Sequence, residues 1–302
     1  LSYQIQKRMK YVLLGSLGNI TKPLAQQLIA AGQQVTIVTS HISKSAAITT
    51  LGATPAVGSI EDVDFLTATF KGADAAYLMI PPKFDANPWK EWISGVGEKY
   101  AKAIKVAGVK KVVFLSSIGA HEPAGVGPVS GIHHAEVALN NNSGAEVLHL
   151  RPGYFYFNLY SALGLIKQAG IYGNNFGPGQ KIILVHPKDI AAVAAEELLN
   201  LAFKGGSVRY IAGDERSSTE IASVLGAAIG KPDLPYVLFS DEDNLKGAIG
   251  AGLSPEVAEN YTEMGAAIRN GIMFADYEKH RPAPSPVKLE DFAKEFAAAY
   301  KA

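Results

Sequence analysis

Two glycines three apart follow the first apolar run, in YVLLGSLGNITKPL at residues 11–24. Glycine at positions 15 and 18 suits a tight turn that lets a phosphate approach the backbone. A helix beginning near Thr21 would aim its free N–H groups at that phosphate. Pro23 fits a first helical turn, where its missing N–H is not needed. Thr21 stands where such loops often carry a third glycine that lets helix and strand pack closely. A threonine is small enough to fit there, though it limits that approach. The chemistry implied is the grip of a dinucleotide's diphosphate; the plain alternative is a structural turn.

The end of the second apolar run, TSHISKS at 39–45, bears on which dinucleotide this would be. An Asp or Glu there would hold a ribose 2′-hydroxyl and repel a 2′-phosphate. No acid occurs before Glu61. Thr39, Ser40, Ser43 and Lys44 can donate to a phosphate, with His41 as a helper. This favours NADP(H) over NAD(H), the alternative being an ordinary solvated turn.

Reactive side chains are few. VSGIHHAEV at 129–137 holds His133, His134 and Glu136. His133, with an ordinary pKa near neutrality, can orient a ribose or protonate a product. Equally, it can be a helix-face histidine bonded to Glu136 one turn on. A metal site is not expected, because adjacent helical residues point about 100° apart. Tyr154, Phe155, Tyr156, Phe157 and Tyr160 form an aromatic cluster in which one or two rings are expected to face a planar ligand and the rest the core. Asp189 in HPKDIA reads as a helix N-cap rather than an acid catalyst.

These residues need a frame. Apolar runs alternate with helical patterns through residue 153: strands in KYVLLG, QVTIVT, ATPAVGS, DAAYLMI, KKVVFLSS and EVLHLRP, with helices between. Nearly all-apolar strands alternating with helices imply a parallel sheet covered on both faces. The fold class expected is α/β, a Rossmann-type doubly wound parallel sheet with a smaller, mainly helical C-terminal lobe. Ligands of such sheets bind at the carboxyl ends of the strands. Residues 1–153 are assigned to the dinucleotide-binding domain, with 186–213 returning to it. Residues 154–185 and 214–302 are assigned to a smaller substrate-binding lobe. GYFYFNLYSALGLIKQAG is read as aromatic and helical, and the chain from about Ser217 onward as helical. The loop PPKFDANPW, rich in Pro and aromatics, is placed to cover a ligand.

Composition sets bounds on the partners. The 302 residues are 48% hydrophobic and 19% charged, with a formal net charge of zero. There is no basic footprint for nucleic acid. The chain has no cysteine, which removes disulfides, thiolate metal sites and thiol nucleophiles and is compatible with the cytoplasm. No apolar run approaches the roughly 18 residues that span a bilayer. Met9 is read as a natural initiator with residues 1–8 upstream of it.

The motifs GSLGNI, GADAAYLMIPP, VVFLSSIGA, HHAEVALNNNSGAEVLHLRPGYFYFN and HPKDIAAVAAEEL, in that order, and the ending PVKLEDFAKEFAAAY resemble the NmrA-like family. Its members are atypical short-chain dehydrogenases/reductases, and the similarity is greatest to the NAD(P)H:quinone oxidoreductase type. The resemblance implies NADPH binding. It places Gly15, Gly18, Asn19 and Ile20 on the diphosphate, and Thr39, Ser40 and Lys44 near the adenosine phosphate. Met79, Ile80 and Pro81 would lie along the ribose, Ser116 and Ser117 at the nicotinamide ribose, and Gly153, Tyr154 and Phe155 at the nicotinamide. The wider superfamily uses a Tyr-x-x-x-Lys proton relay, and residues 129–137 contain neither residue. The expected activity is therefore hydride transfer to a quinone or similar planar acceptor. Its reduced anion is stabilised and solvent can protonate it, so that the protein supplies orientation and a dry slot. Tyr154, Tyr156 and Phe157 are the expected acceptor contacts and His133 the catalytic candidate. The alternative is a non-catalytic NADP(H)-sensing regulator with a protein partner. A homodimer is the other association considered.

Overall fold

The computed structural model describes residues 8–302. Residues 1–7, most of the segment read as upstream of Met9, lie outside the described residues. The first half of the chain alternates strand and helix without interruption: β1 (Lys10–Leu13), α1 (Thr21–Ala30), β2 (Gln34–Thr39), α2 (Ser45–Thr50), β3 (Thr54–Val57), α3 (Val63–Phe70), β4 (Ala75–Leu78), α4 (Trp89–Ala107), β5 (Lys111–Leu115), α5 (Val129–Asn142) and β6 (Glu146–Pro152). The second half is less regular. It contains β7 (Tyr154–Phe155), α6 (Leu163–Ala169), β8 (Tyr172–Asn174), β9 (Lys181–Val185), α7 (Pro187–Asn200), β10 (Ser207–Ile211), β11 (Asp214–Ser217), α8 (Ser218–Ala228), β12 (Tyr236–Leu238), α9 (Asp241–Gly250), α10 (Pro255–Arg269) and α11 (Leu289–Lys301).

Seven strands form one sheet in the order β10-β6-β5-β4-β1-β2-β3, all parallel. The fold is a Rossmann-type doubly wound sheet. Successive residues of β1 point to opposite faces, and both faces are dry. Leu13 joins Leu24, Leu28, Ile190 and Leu198 beneath α1 and α7. Val12 and Leu14 join Phe70, Tyr100, Phe114 and Leu139 beneath α3, α4 and α5. Double-sided burial is what makes such strands read as continuous apolar runs. The helices are amphipathic by the same logic: α4 buries Ile93, Val96, Tyr100 and Ile104 at helical spacing and stops at Gly108, in the left-handed region at φ +77°. Chain order reverses between β1 and β4, which opens the crevice where doubly wound sheets bind ligands.

Two expectations are corrected. The stretch after Gly153 is not helical at its start. Tyr154–Phe155 runs as a strand beside β9 in a three-stranded sheet ordered β11-β9-β7, and residues 156–162 form a 3₁₀ helix before α6 begins. Pairing with β9 satisfies the backbone in an extended form that the aromatic spacing does not announce. The chain after Ser217 is also interrupted, by β12, which pairs in parallel with β8. A third apolar core, including Tyr156, Phe274, Phe292 and Phe296, holds these later elements together.

Candidate active site

A cavity of about 500 Å³ opens at the carboxyl ends of the strands, at the switch between β1 and β4. Its first wall is the loop between β1 and α1. Gly15 has φ +100°, and a Cβ there would meet Thr21 Oγ1 at 2.5 Å. Thr21 is buried and donates its hydroxyl to the Leu14 carbonyl at 2.8 Å. The threonine thus packs onto the glycine and ties the end of β1 to the start of α1, a bond that a third glycine could not make. Ser16 also adopts positive φ, +54°. Its N–H bonds Val38 O at 3.1 Å, and its hydroxyl donates to Thr39 Oγ1 at 2.9 Å. No side chain among the described residues caps α1, and its first turn carries no acid. Lys22 N–H bonds Gly18 O at 3.0 Å and Pro23 has no N–H, so the backbone donors left beside the glycine cradle are those of Asn19, Ile20 and Thr21, a group suited to an anion such as a diphosphate.

The second wall is the tip of β5. Ser116 is buried and donates its hydroxyl to Glu136 on α5. Glu136 also accepts from Arg151 Nε at 3.0 Å and Nη2 at 2.6 Å. Arg151 reaches on to Tyr210 Oη at 3.2 Å and Asp276 at 3.3 Å, and Tyr210 donates to Asp276 at 2.5 Å. Burial works against the Arg151 charge, but the hydrogen bonds and charge of Glu136 outweigh it and hold the guanidinium above its ordinary range. A buried ion pair of this kind is secure only when its remaining polar atoms are bonded, as these are.

The third wall is aromatic. Trp89 at the start of α4 packs edge-on against Phe84 (5.7 Å between centroids) and Tyr261 of α10 (5.5 Å). Tyr154, Met264, Met273 and Phe274 continue this surface. Burial, reinforced by Tyr261, raises the Tyr154 phenol above its ordinary range, and burial alone raises that of Tyr261. Both phenols are therefore protonated at neutral pH, able to donate a hydrogen bond and unable to act as bases. Among the described residues, no Asp, Glu, Lys, Arg or His lines the cavity.

Most of the residues singled out in the sequence meet here. Gly15, Gly18, Asn19, Ile20, Met79, Ile80, Pro81, Ser116, Ser117, Gly153, Tyr154, Phe155 and Phe157 all line the one cavity. Thr39, Ser40 and Lys44 lie outside it. Thr39 is buried and receives Ser16 Oγ and the His41 N–H, while Ser40 and Lys44 are exposed just beyond the tip of β2.

Three assignments are corrected. Tyr156 does not face the cavity: it is fully buried, stacked on Phe292 at 5.4 Å, and bonded to Asp214 at 3.3 Å. The strand ends at Phe155 and Tyr156 opens the 3₁₀ helix that follows, and this turn of the backbone directs the Tyr156 ring to the core rather than to the cavity that Tyr154 lines. His133 neither lines the cavity nor bonds Glu136, because Nδ1 meets Ala120 O at 2.9 Å while Glu136 is occupied by Ser116 and Arg151. Its ring instead secures the turn after β5 to α5. Asp189 is not the cap of α7. His186 is, accepting from Lys188 N at 3.0 Å, whereas Asp189 sits in the first turn and accepts from Val287 N at 3.2 Å.

Among the lining residues not singled out from the sequence, Tyr261, Met264, Ile268, Met273 and Phe274 come from the far end of the chain. Their only sequence signal is apolar spacing within helices, which is equally that of core residues. Phe84 and Trp89 carried a better signal, since they belong to the loop read as a cover.

Fold and site together define a dinucleotide-binding protein of Rossmann type. Residues 15–200 match the family model for NAD(P)H binding, and the chain belongs to that NAD(P)H-binding family. It is 25% identical over 298 residues to an NAD(P)H azoreductase of Xenophilus azovorans, covering 96% of this chain and 99% of that protein. Among solved structures it is similar to an NADPH-dependent quinone oxidoreductase of Escherichia coli in complex with NADPH. There the TM-score is 0.80 at 21% identity, with 94% of this chain and 99% of that one covered. It is also similar to the triphenylmethane reductase of a Citrobacter species complexed with NADP(H), with TM-score 0.77, 19% identity, and 95% and 99% of the two chains covered. No described helix is long and apolar enough to cross a membrane.

Proposed function

We propose that the protein is an NADP(H)-dependent reductase that delivers hydride to a quinone or similar planar, conjugated acceptor. One observation carries this reading: the glycine-loop anion site and an uncharged aromatic slot share a single cavity. When bound, the cofactor supplies the hydride. The loop at Gly15–Ile20 and the start of α1 hold its diphosphate. Met79, Ile80 and Pro81 lie along its ribose, and Ser116 and Ser117 face its nicotinamide half. Gly153 and Phe155 back the ring, while Tyr154 and Phe157 with the Trp89–Tyr261 pair flank the acceptor and exclude water.

The absence of the Tyr-x-x-x-Lys pair from residues 129–137, and of any charged group from the cavity lining among the described residues, bears on the acceptor. A simple ketone gains a localised alkoxide on reduction and needs a proton donor at once. A quinone gains a delocalised anion that solvent protonates after release. The names of the relatives, an azoreductase and a quinone oxidoreductase, support a conjugated acceptor. The preference for NADP(H) rests on the absence of any acid before Glu61 and on Ser40 and Lys44 at the tip of β2.

Stopped-flow absorbance with NADPH and a panel of benzoquinones, naphthoquinones, azo compounds and simple aldehydes tests the reading. NADPH oxidation with quinones and none with aldehydes is expected. Tight NADPH binding with no oxidation by any acceptor would replace the reductase with a nucleotide-sensing binding protein.

A further inference from the structure

We propose that the tip of β5 is an acceptor-only wall that recognises a hydrogen-bond donor on the nicotinamide half of the cofactor, with Glu136 as the positioning residue that makes it so. This rests on the dinucleotide reading above. A hydroxyl has one proton to give and two lone pairs to offer. At this wall the protons are already committed. Ser116 gives its proton to Glu136, and Ser117 gives its own to Ile118 O at 2.9 Å. Both serines line the cavity. What remains for a ligand is lone pairs.

The direction of the Ser116 bond is held from behind. Glu136 faces the Nε and Nη2 of Arg151, a group that can only donate. Both carboxylate oxygens are thereby engaged as acceptors. Arg151 cannot swing away, because Tyr210 and Asp276 grip its Nη1. Glu136 has 7% of its side chain exposed and Arg151 has 9%, so water does not compete for the pair.

The cavity is therefore sorted by hydrogen-bond polarity. The backbone N–H groups of Asn19, Ile20 and Thr21, where the loop enters α1, present donors and suit anionic oxygens. The serines present acceptors and suit N–H or O–H. On the nicotinamide half of a dinucleotide the donors are the carboxamide NH₂ and the ribose hydroxyls. A ligand with an oxygen-only group in that place would meet lone pair against lone pair.

Calorimetric titration of NADP⁺, its nicotinic acid analogue and an analogue deoxygenated on the nicotinamide ribose tests this in the intact protein. In the parent protein one analogue is expected to bind about tenfold more weakly than NADP⁺, the worth of roughly one hydrogen bond with its desolvation. Which analogue it is identifies the donor. That penalty is expected to fall to about twofold in Ser116→Ala or Ser117→Ala. It is also expected to shrink in Glu136→Asp, which retains Ser116 but shortens the arm that orients it. A loss of packing alone would weaken all three ligands equally and leave the ratio unchanged. Both analogues binding the parent as tightly as NADP⁺, or a penalty undiminished in both serine variants, overturns the proposal. A parent protein that does not bind NADP⁺ overturns the dinucleotide reading itself.

Discussion

At the scale of single residues, Thr21 shows how a departure from a motif can be a substitution of one device for another. A third glycine would bring helix and strand close by leaving space. Thr21 instead fills the gap with its hydroxyl, bonded to Leu14 O, and Gly15 then has no room for a Cβ. Gly15→Ala would combine a positive φ, costly by about 1–2 kcal/mol for an L-residue, with a 2.5 Å contact to Thr21 Oγ1. NADPH affinity in Gly15→Ala is expected to fall about tenfold or more, read by fluorescence titration. Affinity equal to the parent's would remove the loop from the site. The glycine loop was legible because phosphate approach constrains residue type. The Glu136–Arg151 pair was not, since nothing in the spacing of 136 and 151 says that the two meet on adjacent elements. Truncating Glu136 removes two hydrogen bonds and the buried partner of Arg151, leaving only the partly exposed Asp276 beside the guanidinium. Glu136→Ala is expected to cost about 3 kcal/mol in chemical denaturation, and a loss below about 1 kcal/mol would mean that Asp276 or water takes over the Arg151 charge.

At the scale of elements, the parallel sheet was readable because every central strand is buried on both faces and each helix carries an apolar stripe. What failed was the segment after Gly153. Its aromatic residues fit a helical stripe, yet β7 forms because β9 offers a free edge, and strand pairing between distant segments leaves no local mark. That one difference decides which aromatic ring meets a ligand. The tip of β2 makes a separate, local prediction. Ser40 is exposed and uncharged, just beyond a strand end tied to the glycine loop through Thr39 and Ser16. In Ser40→Asp a carboxylate would face the 2′-phosphate expected there. Even in high dielectric, each unit-charge pair near 4 Å is worth about 1 kcal/mol. The ratio of kcat/KM for NADPH over NADH is expected to fall about tenfold. An unchanged ratio would show that the tip of β2 does not read the 2′ position.

At the scale of the whole molecule, the C-terminal segment closes the cavity and is anchored by polar groups of the sheet. Gly119 holds φ +89°, which disfavours a side chain, and a Cβ there would also lie 2.0 Å from Met273 Sδ and displace that thioether, so the turn after β5 packs directly on residues 272–274. Arg151 of β6 pairs with Asp276, three residues beyond Met273. Assembly of this kind takes histidines out of water. His149 is buried on β6 with Nε2 at 2.8 Å from Asn140 Oδ1, and burial first, then the Arg151 charge against the opposing pull of Glu136, lowers its pKa. Burial likewise lowers His186 at the start of α7, against the pull of Glu295, and His121 beside Glu122. A histidine whose pKa is lower folded than unfolded binds fewer protons in the folded state, so stability rises with pH. The contribution is fully present above the unfolded value, about 6.5, and is lost as pH falls from there toward the lowered folded values. Unfolding free energy is therefore expected to be flat just above neutrality and to decline between about pH 6.5 and 5. His149→Gln keeps an amide donor for Asn140 and removes the titration, so its decline over that interval should be shallower than the parent's. Parallel curves for the two proteins would assign the pH dependence to other groups, and a rise in stability on acidification would reverse the sign argued from burial.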